Sequence, residues 1–226
     1  MALQVLYQDE FLVAIDKPAG MLVHPGSGGE RVEWIVMKCL RDQLGRQVFP
    51  VHRLDRPTSG VLLFALDKQT AGFTQQAFEQ RKVLKIYHAV VEGGSPQRWV
   101  CETPLKSHPE GAPRAAATRF ERLGVAVVSG EVVRDFSLLE ATPATGRFHQ
   151  IRRHLLEAGL PIVGDFRYAG QDLSYELGEF LGTGTRMLLQ SKVLDLEHPR
   201  TQVRLRIEAP EDVDFRKVFP DVYSVL

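Results

Sequence analysis

Several kinds of chemistry are missing from this chain. It has only two cysteines, Cys39 and Cys101, and neither belongs to a CxxC or His-Cys cluster. No thiolate zinc site or disulfide framework is suggested, and two free thiols fit a reducing compartment. No run approaches the ~20 apolar residues of a membrane-spanning helix. The opening Met1-Ala2-Leu3-Gln4-Val5 lacks the basic start and apolar run of a signal peptide. The expectation is a cytoplasmic protein with no membrane partner. A charge excess is absent too: 28 Lys+Arg face 28 Asp+Glu, for a formal net charge of zero. That removes the bulk basic signature of many nucleic-acid binders but leaves room for a local basic face. There is no Walker loop, dinucleotide fingerprint, HExxH or GxSxG motif, so neither metal nor cofactor is expected.

What is present reads as a globular chain of 226 residues, 44% hydrophobic and 25% charged, able to bury a substantial core. Short β-like runs dominate. Residues 5–7 and 11–15 flank a turn and predict a hairpin, which Lys17-Pro18-Ala19-Gly20 ends. Ser27-Gly28-Gly29 reads as a flexible tip. Apolar residues at helical spacing predict helices over 30–44, closed by Gly45, over 70–80, and over 148–158, closed by Gly159. Strands are predicted at 61–66, 86–91, 100–105, 117–123, 125–128, 132–141, 186–196 and 202–207. Residues 93–116, rich in Gly, Pro, Ser and Ala, read as mostly loop. Without βα alternation or internal repeats, the class is α+β: a mixed, mostly antiparallel sheet with a few flanking helices.

Three segments carry candidate chemistry. The first is His52-Arg53-Leu54-Asp55-Arg56-Pro57-Thr58-Ser59-Gly60, just before the apolar strand 61–66. Arginines on both sides of Asp55 favour its charged form, and a charged carboxylate suits a nucleophile or base. Spacing alone favours a turn leading into a strand and decorated with surface salt bridges. The second is Thr145-Gly146-Arg147-Phe148-His149-Gln150-Ile151-Arg152-Arg153-His154. As a helix it would bury Phe148, Ile151 and Leu155, and gather His149, Arg152 and Arg153 at i, i+3 and i+4 on an adjoining face. Such a stripe suits phosphate, with Gly146 leaving the backbone open to an anion; a solvated basic face is the alternative. His154 reads as structural. In the third, Lys85 to Gly93, a strand places Lys85, Tyr87 and Ala89 on one face. Tyr87 there could stack on a base, act as an acid or base, or simply fill core.

Together these segments resemble the RluA family of pseudouridine synthases. His52-Arg53-Leu54-Asp55 with Thr58-Ser59-Gly60, then Lys85-x-Tyr87-x-Ala89, match its first two motifs in order. Thr145-Gly146-Arg147-x-His149-Gln150-Ile151-Arg152 with Gly159-x-Pro161-Ile162-x-Gly164-Asp165-x-x-Tyr168 matches the third. Lys17-Pro18-Ala19-Gly20, Pro104-Leu105 and Ala117-Thr118 are smaller matches, and residues 41–63 are most similar to the branch that acts on tRNA. The chain departs from the family at Gln190-Ser191, where His-Ala is usual, and at Asp16, where asparagine is common.

The resemblance implies a single catalytic domain over 1–226 with the pseudouridine synthase fold and a central active-site cleft, without an additional N-terminal RNA-binding domain. It implies isomerisation of uridine in structured RNA, with no cofactor. It implies Asp55 as catalytic aspartate, Tyr87 as the tyrosine packed on the target base, and Arg152 as the arginine paired with the aspartate. Arg53 resembles the arginine that enters the RNA stack, and His52, Arg147, His149 and Arg153 are expected to contact substrate. The expected partner is RNA, tRNA first and rRNA as alternative, and the expected state is a monomer. A noncatalytic RNA-binding protein on the same fold is a further reading. A glycosidase acting on free nucleosides would normally use a pair of carboxylates, which these motifs do not offer.

Overall fold

A computed structural model describes residues 2–24, 35–106, 111–130 and 132–223. The chain opens with β1 (Gln4–Gln8), β2 (Leu12–Lys17), α1 (Val36–Leu44), β3 (Phe49–Pro50), β4 (Ser59–Ala65), α2 (Lys68–Glu79) and β5 (Leu84–Glu92). It continues through β6 (Arg98–Cys101), β7 (Leu105–Lys106), β8 (Pro113–Arg114), β9 (Thr118–Ser129), β10 (Val133–Pro143) and α3 (Gln150–Glu157). It closes with α4 (Gln171–Leu181), β11 (Leu189–Glu197), β12 (Arg204–Glu208), α5 (Val213–Val218) and α6 (Pro220–Tyr223). Two compact units result: Met1–Lys85 with Ser191–Pro210, and Ile86–Gln190 with Glu211–Leu226. The architecture is α+β with mostly antiparallel strands, as the sequence predicts.

In the first unit the strands run in the order β1-β2-β4-β11, with β12 on β11 and β3 on β4. The β1–β2 hairpin is set by Asp9, whose carboxylate accepts the backbone N–H groups of Phe11 (2.8 Å) and Leu12 (2.7 Å). Such a side-chain turn fixes register. β4 is buried at all seven positions, as its nearly continuous apolar run predicts. α2 starts on Asp67, which accepts the Thr70 N–H, and α1 ends on Gly45 in the left-handed region at φ 64°. The core packs Leu12, Ala14, Val61, Leu63 and Ala65 against Leu194, Leu196 and Ile207. Gly60 is demanded by this packing: a Cβ there would lie 2.2 Å from the Ser191 carbonyl oxygen.

The second unit orders its strands β5-β10-β9-β6, all antiparallel. Alternation along β5 divides the core in two. Ala89 and Val91 join Leu139, Ala141 and the α3 residues Ile151 and Leu155. Val90 joins Leu138, Phe136, and Leu177, Leu181, Phe215 and Val218 from α4 and α5.

The differences from the sequence reading have physical causes. The two strands predicted at 117–123 and 125–128 are one strand, β9. Gly124 is not a break; the register against β10 shifts there, as at a bulge, and a Cβ at Gly124 would come within 2.7 Å of Val222. α4, α5 and α6 were not predicted. In α4, Gly178 looks like an interruption, yet it lets the helix approach the Gly184 carbonyl so closely that a Cβ would sit 1.9 Å from the oxygen. The helix predicted over 148–158 begins only at Gln150. The predicted tip at 27–29 and the first residues of the helix predicted over 30–44 lie outside the described residues.

Candidate active site

The Asp55 segment is held by backbone bonds and by a buried lysine. Asp55 is partly buried, and its carbonyl accepts the Thr58 N–H at 3.1 Å. The next carbonyl, of Arg56, accepts the Gly20 N–H at 2.8 Å and Lys17 Nζ at 3.1 Å. Lys17 Nζ also donates to the carbonyls of Pro18 (2.8 Å) and Met21 (2.9 Å). The side chain is fully buried, so these oxygens take the place of water around the ammonium. Arg56 returns the contact by donating Nε to the Gly20 carbonyl at 3.0 Å. The turn 17–20 and the segment 55–58 are thus laced together. Sequence reasoning noticed Lys17-Pro18-Ala19-Gly20 only as a signature; that the lysine is a buried anchor has no signal in spacing.

The neighbours of Asp55 divide. Arg53 is exposed. His52 is turned inward: its Nε2 accepts the Leu63 N–H at 3.0 Å, and its ring stacks on Phe78 with centroids 4.8 Å apart. An acceptor Nε2 leaves the proton on Nδ1 and the ring neutral. Burial, and secondarily the charge of Lys85, push its pKa from 6.5 down to about 3. Nε2 thus ties the segment to β4.

In the second unit, Tyr87 stands on β5 opposite Ala141 of β10, partly buried against the core that includes Ala89 and Ile151. Around α3 the predicted stripe is corrected. Because the helix starts at Gln150, His149 precedes it in a left-handed conformation (φ 52°) and does not share a helical face with Arg152 and Arg153. Arg152 is buried at 5% exposure and forks the carboxylate of Asp165, itself 1% exposed: Nε to Oδ2 at 2.7 Å and Nη2 to Oδ1 at 2.6 Å. Its guanidinium lies over the Tyr168 ring at 5.0 Å. Arg153 donates to the Lys106 carbonyl (2.8 Å) and Arg147 to the Ala115 carbonyl (3.2 Å), both with exposed heads. His149 Nδ1 meets the Tyr168 hydroxyl at 3.0 Å. Phe148, expected in the core, is 41% exposed.

Gln150 and Asp165 are the residues sequence reasoning passed over. The Gln150 amide accepts from the Thr145 hydroxyl and from the Arg147 N–H, and donates to the Ala117 carbonyl and to the Thr118 hydroxyl. Next to Gly146, where the backbone reads as open to an anion, the Arg147 N–H is therefore occupied. His154 is fully buried, as its structural reading requires. Nε2 faces the Thr103 carbonyl at 3.1 Å and so donates, leaving Nδ1 to accept from the Thr118 hydroxyl at 2.9 Å. Among the described residues no group of three His, Cys, Asp or Glu side chains could hold a metal.

Comparison with known proteins agrees with this picture. The family described as RNA pseudouridylate synthase matches residues 11–157, more than half of the chain. The chain is 38% identical to tRNA pseudouridine synthase C of Haemophilus ducreyi over 97% of its own length and 95% of the relative's. It is 39% identical to the protein of that name from Haemophilus influenzae, over 96% of both chains. Among solved structures, human RNA pseudouridylate synthase domain containing 4 superposes with a TM-score of 0.74 at 26% identity, covering 96% of this chain and 92% of that one. The ordered motifs, the α+β fold and these full-length matches have one consequence: the chain belongs to the RNA pseudouridylate synthase family and is an RNA pseudouridine synthase.

Proposed function

We propose that this enzyme isomerises uridine in tRNA, with Asp55 as its catalytic carboxylate. The target reading rests on one observation: relatives named tRNA pseudouridine synthase C are 38–39% identical over nearly the full length of both chains. The reaction breaks the N1–C1′ bond, turns the uracil and rejoins it through C5, releasing the C5 proton. A stacked base must first leave the RNA helix, at a cost of a few kcal/mol offset by contacts in the pocket. Arg53, exposed beside Asp55, fills the vacated stack. Tyr87 packs on the flipped ring. Asp55 attacks C1′ or removes a sugar proton, and the motif that contains Arg152 assigns that residue to the same step. Arg147 and Arg153, with exposed heads, meet phosphates and contribute a salt-dependent part of affinity.

The test is Asp55→Asn assayed on tRNA carrying 5-tritiated uridine. The variant should bind tRNA with wild-type affinity and release no tritium. Full tritium release would overturn the role of Asp55, and wild-type release only from 5-tritiated ribosomal RNA would move the target.

A further inference from the structure

We propose that Phe148, backed by His149 and flanked by Arg167, is a stacking platform for an unpaired base of the substrate RNA, separate from the uridine that reacts. The proposal rests on the assignment above as an RNA-modifying enzyme. Helical spacing would bury Phe148 with Ile151 and Leu155, but the left-handed turn at His149 swings it out, leaving it 41% exposed. A single exposed phenyl ring means little. This one tops an ordered stack. Its ring lies on that of His149 with centroids 3.6 Å apart and planes 21° from parallel. His149 is fixed from below by the Tyr168 hydroxyl at 3.0 Å and stands edge-on to that ring, 5.6 Å away. Tyr168 rests against Arg152, which the buried Asp165 holds. A column of rings therefore leads from a buried ion pair to an exposed aromatic.

The charges around the column point to the ligand. Arg167 holds its guanidinium over the Phe148 ring, 5.6 Å from its centre, and over that of Tyr168 at 5.9 Å. Arg147 is adjacent in the chain, its Nε on the Ala115 carbonyl, and Arg153, on the following helix, donates to the Lys106 carbonyl. Among the described residues, no carboxylate pairs with any of these three arginines. An aromatic ring in contact with an arginine that pairs with no carboxylate among the described residues does not suit an apolar protein surface. It suits a nucleotide, whose base stacks while its phosphate meets a guanidinium. Only an unpaired base offers its face.

The experiment compares full-length Phe148→Ala, Phe148→Leu and Phe148→Trp variants on bulk tRNA carrying 5-tritiated uridine, with filter binding across a salt series. One base–aromatic stack is worth about a five- to 150-fold change in affinity. Phe148→Ala should raise KM and Kd roughly ten-fold, at the lower part of that range, with kcat nearly unchanged. Its slope of log Kd against log salt should match wild type, since a phenyl ring displaces no counterions. Phe148→Trp should restore binding. Phe148→Leu, which keeps apolar bulk but lacks the π-face, should bind as weakly as Phe148→Ala. Wild-type affinity in Phe148→Ala or Phe148→Leu overturns the proposal, as does weak binding by a folded Phe148→Trp. Asp55→Asn in the same assay keeps the two readings apart: tritium release by that variant removes the catalytic assignment, whereas unaltered binding by Phe148→Ala removes only the platform.

Discussion

The Arg152–Asp165 pair offers the sharpest test of how structure and chemistry divide in this enzyme. If Arg152 served only as the arginine paired with the catalytic aspartate, Arg152→Ala would lower the rate and leave the fold intact. The structure predicts otherwise. Both partners are almost fully buried and joined through two hydrogen bonds of 2.7 and 2.6 Å. Removing the guanidinium leaves the Asp165 carboxylate with the Arg167 and Tyr168 N–H groups, each at a long 3.3 Å. Breaking a buried pair from one side typically costs about 3–5 kcal/mol, against a total stability of roughly 5–15 kcal/mol. Arg152→Ala should therefore shift the urea midpoint strongly, and Asp165→Asn should do so comparably. Replacing both partners by apolar side chains, Arg152→Met with Asp165→Leu, should return stability to within about 1–2 kcal/mol of wild type, because no uncompensated charge remains. That double variant is the one in which to measure tritium release from tRNA. Folded and inactive, it assigns Arg152 to the reaction. Folded and fully active, it makes Arg152 purely structural and removes it from the catalytic set. A loss below about 1 kcal/mol in Arg152→Ala would refute the premise that the buried pair matters to the fold.

Two further outcomes follow from the Asp55 segment. Lys17→Met keeps the volume but not the ammonium, so the Pro18 and Met21 carbonyls lose this donor while that of Arg56 keeps the Gly20 N–H. At about 1–3 kcal/mol per orphaned buried acceptor, urea denaturation should show a loss of roughly 2–6 kcal/mol; an unchanged midpoint would contradict the anchoring role. For His52, the folded pKa near 3 lies below the ordinary 6.5, so the unfolded chain binds the extra proton. Its contribution is complete above about pH 6.5 and drains away as pH falls toward 3, amounting to about 2 kcal/mol lost by pH 5. His52→Gln should flatten the dependence of stability on pH between 7 and 5, and an equally steep profile would discount the neutral ring.

The fold class and most strands were legible because period-two and continuous apolar runs report burial directly. β4, buried throughout, and the Asp9 hairpin are cases where local chemistry and tertiary environment agree. What failed was the meaning of particular residues. Gly124 and Gly178 look like punctuation, yet each is small because a neighbour presses on it. Phe148 looks like core because a helical wheel assumes a helix already begun, and the turn at His149 cannot be seen from periodicity.

The same limit governs the site. Residues matched by motif arrive as one undifferentiated set, but the structure gives them different tasks. Lys17, His52, Gln150 and Asp165 spend their polar atoms on carbonyls, an amide N–H and a guanidinium inside their own units. Arg53 is exposed, and Arg147 and Arg153 keep exposed heads. A buried polar group must be satisfied by the protein itself, so it has little capacity left for a substrate that comes and goes. An exposed cation has that capacity. Burial and hydrogen bonding thus separate motif residues engaged inside their own units from those with exposed heads, a division that similarity alone does not make. Arg152 is the residue that stands on both sides: structural by its bond to Asp165, and assigned to catalysis only by the motif that contains it.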